Sequence, residues 1–254
     1  MGYLLLATGL RGMNLIVFYL VGTKATKFKK ELKEKIDGSI KAQGGSIARG
    51  PSQVFACSIL AVVLSLVHVV YCGKEERIIF SQLPLASRLT CGIVAHHATC
   101  LADTLASELG ILSDSSPRLV TQPWKIVPPG TNGGVTLFGT FCSALGGLLI
   151  GLSTIVCDAV SGIESDAHKR LSLIAFSSCC GLLGSLIDSI LGATIQQTYF
   201  DPDSKLVYQE NDKKPASTKL VTGANILTNE QVNLVSVALT TFLGGWVLGP
   251  AFLR

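Results

Sequence analysis

Residues 135–160 read VTLFGTFCSALGGLLIGLSTIVCDAV, a run in which Asp158 is the only charged side chain. A membrane-spanning helix needs about 20 consecutive, mostly apolar residues, so this stretch is long enough to cross a bilayer. Gly147 and Gly151 lie four positions apart within it, a spacing that lets two membrane helices approach closely. The stretch therefore predicts a membrane helix that packs tightly against a neighbour.

The composition of the whole 254-residue chain points the same way. Hydrophobic residues make up 48% of the chain and charged residues 15%, whereas soluble domains contain roughly 25% charged residues. The mean hydropathy is +0.48. These values argue against a soluble globule, a disordered chain and a secreted disulfide scaffold. The eight cysteines form no CxxC pair and lie mostly in apolar stretches, which predicts small buried hydrophobes rather than metal or redox ligands.

We predict an all-α fold, a polytopic transmembrane helix bundle that forms a single integral membrane domain over residues 1–254. Arg11 interrupts the first segment, and the third contains the adjacent histidines His96 and His97. Adjacent side chains point about 100° apart on a helix, so we expect these histidines to pack inside the bundle rather than share a metal. The six predicted segments are Leu4–Gly22, Ser52–Cys72, Leu89–Leu109, Val135–Val160, Leu171–Ile195 and Val232–Leu253.

The distribution of basic residues predicts the orientation of these segments. Fourteen lysines and arginines lie in the first, third and fifth loops, against six in the other loops and at the C terminus. The positive-inside rule places the fourteen in the cytosol, including the basic loop 23–51 and the polar loop 196–231. The stretch from Lys24 to Lys41 predicts either an amphipathic surface helix or a solvated loop beside anionic lipid. We interpret the net charge of +4 as a signal of membrane orientation and of a lipid bilayer as the partner, and not as a surface that binds nucleic acid.

Carboxylates inside apolar segments are costly, so each one needs a reason. Asp103 and Glu108 lie near the cytosolic end of the third segment, Asp188 lies near that of the fifth, and Asn233 begins the sixth. Asp188 could be explained without a ligand site if it formed an interhelical hydrogen bond or took part in a proton relay. Asp103 and Glu108 could be explained by their proximity to the water interface. Asp158 lies at the opposite end of the fourth segment, so we expect it to lie at the membrane interface on the other side. The sequence thus gathers its unusual polar residues on one side of the membrane.

A glycine-rich turn at Gly130–Gly134 precedes the fourth segment on that same side. Such a turn at a helix start can direct backbone N–H groups at an anion. Thr131 and Asn132 could add side-chain donors, and Lys125 and Arg118 lie just upstream. Carboxylates beside a phosphate are explained if Mg²⁺ bridges them. The pattern therefore suggests an anion site, with ordinary loop punctuation as the alternative.

Four ordered motifs carry a family resemblance: residues 103–110 (DTLASELG), 116–118 (SPR), 129–134 (PGTNGG) and 184–194 (GSLIDSILGAT). They resemble the transmembrane protein 19 family, whose broader family includes plant phytyl-phosphate kinase. The resemblance runs from about Thr23 to the end. Leu105 stands where the family usually has an aromatic residue, which alters packing. Family members usually carry further segments before the point where this chain begins, so Met1 is expected to mark a shortened chain.

The resemblance implies a multi-pass transferase of isoprenoid metabolism. The implied enzyme is a kinase that uses Mg²⁺. It would transfer the terminal phosphoryl group of a nucleoside triphosphate, such as CTP, to a prenyl or phytyl monophosphate. It also implies an endomembrane location, the endoplasmic reticulum if the cell is eukaryotic. The rival functions are a transporter or ion or proton pathway, and a non-catalytic scaffold. The expected catalytic and metal-binding residues are Asp103, Glu108 and Asp188, and the expected phosphate- or substrate-binding residues are Lys125, Gly130, Thr131, Asn132, Gly133, Gly134, Ser189 and Asn233.

Overall fold

The computed structural model describes residues 2–38, 58–74, 77–209 and 212–254. Residues 39–51 of the basic loop and the start of the second predicted segment, residues 52–57, lie outside the described residues. The described chain is mainly helical. Its helices are α1 (Gly2–Thr8), α2 (Asn14–Lys27), α3 (Lys30–Lys33), α4 (Ile59–Cys72), α5 (Pro84–Gly110), α6 (Leu137–Val160), α7 (Ala167–Ile195), α8 (Asn229–Leu243) and α9 (Gly249–Phe252).

Within the described ranges, three helical stretches are long and apolar enough to cross a membrane: Leu137–Val160, Ala167–Ile195 and Asn229–Phe252. The last combines α8 and α9 with a π-helical turn between them, Gly244–Leu248. Helix α5 has 27 residues, but its polar side chains lower its hydropathy, and α4 has 14 residues. The helical membrane bundle is therefore confirmed, and the number of six spans stays a prediction.

Side-chain caps fix where the long helices begin. The Thr136 hydroxyl accepts a hydrogen bond from the Gly139 amide at 3.0 Å and starts α6. The Asp166 carboxylate accepts one from the Lys169 amide at 2.7 Å and starts α7. Thr228 opens α8 with a reciprocal capping box. Each cap satisfies amides that have no partner within the helix, so the sequence itself sets these boundaries.

Helix α5 lies at the centre of the bundle, where its residues from Leu89 to Ala102 are all buried. Its side chains pack with Phe176 of α7 and Ile150 of α6 in the main hydrophobic core. His96 and His97 are fully buried, with their rings edge to face at 5.3 Å. The expected packing of both histidines inside the bundle is confirmed.

Glycines bring α5, α6 and α7 close together. A side chain at Gly146 would meet the Ala102 Cα of α5 at 2.5 Å, and one at Gly147 would meet the Ser177 carbonyl of α7 at 2.5 Å. Gly151 also faces Ser177. The predicted close approach through Gly147 and Gly151 is confirmed, and it fixes α7 relative to α5 and α6.

The first predicted segment is not one continuous helix. It breaks after Thr8 into a 3₁₀ turn, Gly9–Met13, where Arg11 forms a buried ion pair with Asp158 of α6. The two side chains form a bidentate contact at 2.5 and 2.9 Å. Asp158 is 5% exposed, because the guanidinium supplies a partner that the sequence pattern did not reveal. Asp158 lies two residues from the end of α6, and its position at the membrane interface stays a prediction.

Two small antiparallel sheets correct the prediction of an all-α fold. The loop after α5 forms a sheet of order β2-β1-β3, and the loop after α7 forms one of order β5-β4-β6. Strand-forming aromatic and β-branched residues occur there, but in runs too short to alternate clearly or to stand out beside the long apolar segments. The strands are β1 (Arg118–Leu119), β2 (Gln122–Ile126), β3 (Gly134–Val135), β4 (Thr198–Asp201), β5 (Leu206–Gln209) and β6 (Lys219–Thr222).

Candidate functional site

A cavity of about 1110 Å³ lies at the end of the bundle where the first, third and fifth loops meet. Helices α5, α6, α7 and α8 form its walls. The loops touch one another: the Val207 amide donates to the Ile36 carbonyl at 3.0 Å, and the Asn132 amide group donates to Gln209 Oε1 at 2.6 Å. The three loops that the charge count assigned to one side therefore lie together in the structure.

Most of the residues predicted for the site line this cavity. Thr131 is buried, whereas Asp103, Glu108 and Asp188 are partly buried. The predicted polar residues of three helices, α5, α7 and α8, thus share one space with the glycine turn before α6, as the sequence predicted. The predicted residues that line the cavity are Asp103, Glu108, Gly130, Thr131, Asn132, Gly133, Gly134, Asp188, Ser189 and Asn233.

Lys125 lies elsewhere. It belongs to β2, all of whose residues are exposed, and its ammonium donates to the Val221 carbonyl of β6 at 2.9 Å. Lys125 is absent from the cavity lining. The side chain joins the two small sheets, so the predicted phosphate-binding role for Lys125 has no support in its position.

The glycine turn differs from the predicted anion cradle. Strand β3 separates it from α6, so the turn does not itself start a helix. The amide of Thr131 donates to the Pro128 carbonyl at 3.2 Å and that of Gly134 to the Thr131 carbonyl at 2.9 Å. The backbone amide of Asn132 donates to the Thr198 hydroxyl at 3.2 Å. Gly133 has a φ of +73°, and a side chain there would meet the Ser189 carbonyl at 2.6 Å. The turn therefore shapes the cavity by packing on the end of α7, while most of its amides are already bonded.

The three predicted carboxylates have separate surroundings. Asp188 accepts a hydrogen bond from the Ser236 hydroxyl of α8 at 2.9 Å, and Glu108 forms an ion pair with Lys33 at 2.7 Å. Among the described residues, no three His, Cys, Asp or Glu side chains are grouped so that they could hold a metal ion together. Mg²⁺ in phosphate-handling sites is often held by one or two carboxylates together with substrate phosphates. The cavity fits that arrangement and does not offer a complete protein cage.

Sequence reasoning missed several charged residues of the site. Lys33 is the lone lysine or arginine among the described residues that line the cavity. It was counted within the basic loop and had no feature to distinguish it from its neighbours. Lining carboxylates outnumber it by six to one, and three of them were not predicted. The six are Asp37, Asp103, Glu108, Asp188, Asp212 and Glu230.

Comparison with known proteins identifies the family. Residues 1–241 match the family described as Integral membrane protein DUF92. Protein PGR of Arabidopsis thaliana is 40% identical over 237 residues, which cover 91% of this chain and 79% of that protein. Protein VTE6, chloroplastic, of the same plant is 27% identical over 234 residues, 92% of this chain and 57% of that protein. An uncharacterized membrane protein of Synechocystis is 30% identical over 196 residues, 76% of this chain and 66% of that protein.

No solved structure matches this chain. The expected endoplasmic reticulum location receives no support, because the location named among these relatives is the chloroplast, for VTE6. The match over nearly the whole chain and the identity to Protein PGR agree with the family resemblance found in the sequence motifs. The chain is a multi-pass integral membrane protein and belongs to the DUF92 family.

Proposed function

We propose that this protein is a lipid-phosphate kinase that phosphorylates a prenyl monophosphate, of which phytyl monophosphate is one, with a nucleoside triphosphate such as CTP. The observation that carries the proposal is a polar, acidic cavity that is continuous with a lipid-facing helix surface. The resemblance of the sequence motifs to a family that includes plant phytyl-phosphate kinase supports the same reaction. Similarity to VTE6, chloroplastic, makes a plastid membrane the location we propose in a plant cell.

The shape of the cavity suits a substrate with a polar head and an apolar tail. One face of α7 lines the cavity with Asp188 at its polar end and with Ala175, Cys179, Leu182 and Leu186 along the rest. Leu182 and Leu186 are 37% and 46% exposed, on a helix that is long and apolar enough to cross a membrane. From Ala175 to Asp188 the helix rises about 20 Å at 1.5 Å per residue. A prenyl tail would lie along this face in the bilayer while its phosphate reached the polar end.

The charge of the cavity implies a cation requirement. Among the described residues, six carboxylates and one lysine line it, and two phosphate-bearing substrates would add further negative charge. Mg²⁺, when bound, would neutralise phosphate and carboxylate charges together and polarise the transferred group. Asp188, Asp103 and Glu108 are the candidates to hold it, with the remaining ligands from phosphate and water.

The other cavity residues would bind and orient the substrates. Asn132, Ser189 and Asn233 line the polar end and carry donors for phosphate oxygens. A phosphomonoester has a second pKa of about 6, so the acceptor is largely ionised at neutral pH and needs no strong general base. Positioning and charge neutralisation are the main requirements of phosphoryl transfer. The cavity residues can meet both.

An ion or proton pathway is the rival function. It would require a polar route from the cavity to the other end of the bundle. Beyond Cys100, which lines the cavity, the buried side chains of α5 include His96 and His97 beside Val94 and Ala98, but no carboxylate. The carboxylates that line the cavity gather at one end of the bundle, which favours a one-sided site over a path through the membrane.

The proposal is tested by assaying purified full-length protein in lipid with a panel of prenyl monophosphates and all four nucleoside triphosphates. We expect a prenyl diphosphate product with at least one pair, and loss of product in EDTA. A matched preparation of the Asp188→Ala variant is the control for contaminating kinases. Absence of transfer with every pair, in protein shown to be folded, would refute the kinase. Ion flux across the same vesicles would then favour the pathway function.

A further inference from the structure

The sheet of β1, β2 and β3 packs one of its faces on the helix bundle. Leu119 of β1 and Val127, which directly follows β2, are buried in a cluster with Ala193 of α7. Val221 of β6 packs against the same cluster, and Lys125 of β2 donates to its carbonyl at 2.9 Å. We call this side of the sheet, with Leu119, Lys125 and Val127, the inner face.

The opposite, outer face carries two large apolar side chains of β2. Side chains along a strand alternate between the two faces of a sheet, so Trp124 and Ile126 point away from the inner face. They are 77% and 62% exposed. An antiparallel sheet that covers a core with one face usually presents polar residues on the other. The outer face departs from that pattern.

Strand pairing connects the outer face to the start of α6. Ile126 pairs with Arg118 of β1, and Arg118 pairs with Val135 of β3, so the three side chains form one row on the same face. Neighbouring strands lie about 4.8 Å apart, which places Ile126 within about 10 Å of Val135. Helix α6 begins two residues after Val135, and its first turns expose Leu137 and Phe141 by 90% and 64%. The apolar outer face therefore continues the apolar surface of a helix that is long enough to cross a membrane.

The chemistry of the outer face suits the surface of a bilayer. Helix α6 has 24 residues and a length of about 36 Å, more than the roughly 30 Å of the hydrocarbon core, so its ends reach the head-group layers. Tryptophan is enriched in these layers, because it has an apolar ring and a polar N–H group. The Arg118 guanidinium donates to the Pro123 carbonyl and has further N–H groups that could bind lipid phosphate.

We propose that the outer face of this sheet lies on the bilayer, with Trp124 and Ile126 inserted into the head-group layer on the cavity side of the membrane. The sheet is then held on both sides, by α7 at its inner face and by lipid at its outer face. Strand β3 begins at Gly134, the last residue of the glycine turn, so this anchor also sets the height of the turn relative to the lipid head groups. The inference does not depend on phosphoryl transfer. The other possible occupants of the outer face are water and a second copy of this chain.

The test uses the fluorescence of Trp124 in nanodiscs of phosphatidylcholine. The chain has two tryptophans, so Trp246→Phe leaves Trp124 as the only one, and phenylalanine can still stack on Phe242. Quenching is measured with iodide in water, with lipid brominated near the head group and with lipid brominated near the chain end. Two reference variants lack both native tryptophans. Ala216→Trp places the ring in the exposed part of the fifth loop, and Phe141→Trp places it on the exposed surface of α6.

We expect lipid brominated near the head group to quench Trp124 more strongly than lipid brominated near the chain end, because an interfacial apolar face enters the bilayer by only about 5–10 Å. Most of the iodide quenching seen with Ala216→Trp should be lost. Iodide quenching of Trp124 as strong as that of Ala216→Trp would place the outer face in water and overturn the proposal. Protection from iodide without quenching by either lipid, while Phe141→Trp is quenched, would show that protein covers the face, and would overturn it equally.

Discussion

The buried pair of Arg11 and Asp158 is the clearest structural contact at the scale of single residues. The side chains are 4% and 7% exposed and lie far from the cavity. Removing one partner leaves an uncompensated buried charge, which costs about 3–5 kcal/mol. We therefore expect Arg11→Met to lower the free energy of unfolding by that amount in detergent, measured by chemical denaturation.

The double variant Arg11→Met, Asp158→Leu should regain most of this loss, because both charges are then removed. Arg118→Met is a suitable control, since Arg118 is exposed and bonds to the Pro123 carbonyl within its own loop. An Arg11→Met protein as stable as the wild type would mean that the ion pair does not hold the first segment on α6.

Individual residues also show which parts of the site can be predicted from sequence. Asp103, Glu108 and Asp188 could be assigned to the interior because a carboxylate in an apolar helix is too costly to face lipid. Lys33 could not, because its burial depends on Glu108, 75 residues away. Lys125 was assigned to the cavity from sequence proximity alone, and the exposed strand β2 turns it towards β6 instead.

At the scale of helices, the glycine contact between α6 and α7 determines the shape of the cavity. A side chain at Gly147 would collide with the Ser177 carbonyl and the Ser178 Cα, at 2.5 and 2.7 Å. We expect Gly147→Val to force the helices apart and destabilise the bundle by about 1–3 kcal/mol, the usual cost of overpacking. Thermal unfolding in detergent measures the effect. Leu152→Ala is the control on the lipid-exposed face of α6, and equal melting temperatures for the two variants would contradict the account.

The hairpin of β4 and β5 should respond to acid. The Asp201 carboxylate accepts hydrogen bonds from the Ser204 and Ser217 hydroxyls at 2.5 and 2.7 Å, and these bonds lower the pKa of Asp201. A carboxyl with a lowered folded pKa stabilises the fold above its unfolded value of about 3.9 and loses that contribution as pH falls through the folded pKa. We expect limited proteolysis of this loop to rise below about pH 4. Asp201→Asn should be susceptible already at neutral pH, and an acid response identical to the wild type's would exclude Asp201 as its source.

The long helices could be predicted because their apolar runs are continuous, and their caps at Thr136, Asp166 and Thr228 are readable from sequence. The small sheets could not. Their strands have two to five residues, which is too short for a clear alternation of polar and apolar positions. Their pairing also depends on contacts between loops, such as that of Asn132 with Gln209.

At the scale of the whole molecule, the account requires the first, third and fifth loops to lie on one side of the membrane. Single cysteines at Ser115, Ala216 and Ser161, in a background without native cysteines, can be probed with an impermeant thiol reagent in sealed vesicles. All three positions are exposed. The first two should label from the same side and Ser161, in the loop between α6 and α7, from the other. If cysteines at Ser115 and Ala216 were labelled from opposite sides, the third and fifth loops could not line one cavity, and the proposed site would be refuted.

The central claim is that the cavity transfers phosphate with Asp188 as a metal-binding carboxylate. The most direct measurement is transfer of radiolabelled terminal phosphate to a prenyl monophosphate, by wild type and Asp188→Asn, across a range of Mg²⁺ and Mn²⁺ concentrations. Asparagine keeps the size of the side chain and can still accept the Ser236 hydrogen bond, but it lacks the charge that attracts the cation. We predict that the folded variant loses at least 100-fold in rate, roughly 3 kcal/mol of transition-state stabilisation, with partial recovery at high Mn²⁺. Near-normal transfer by a folded Asp188→Asn protein would contradict the claim.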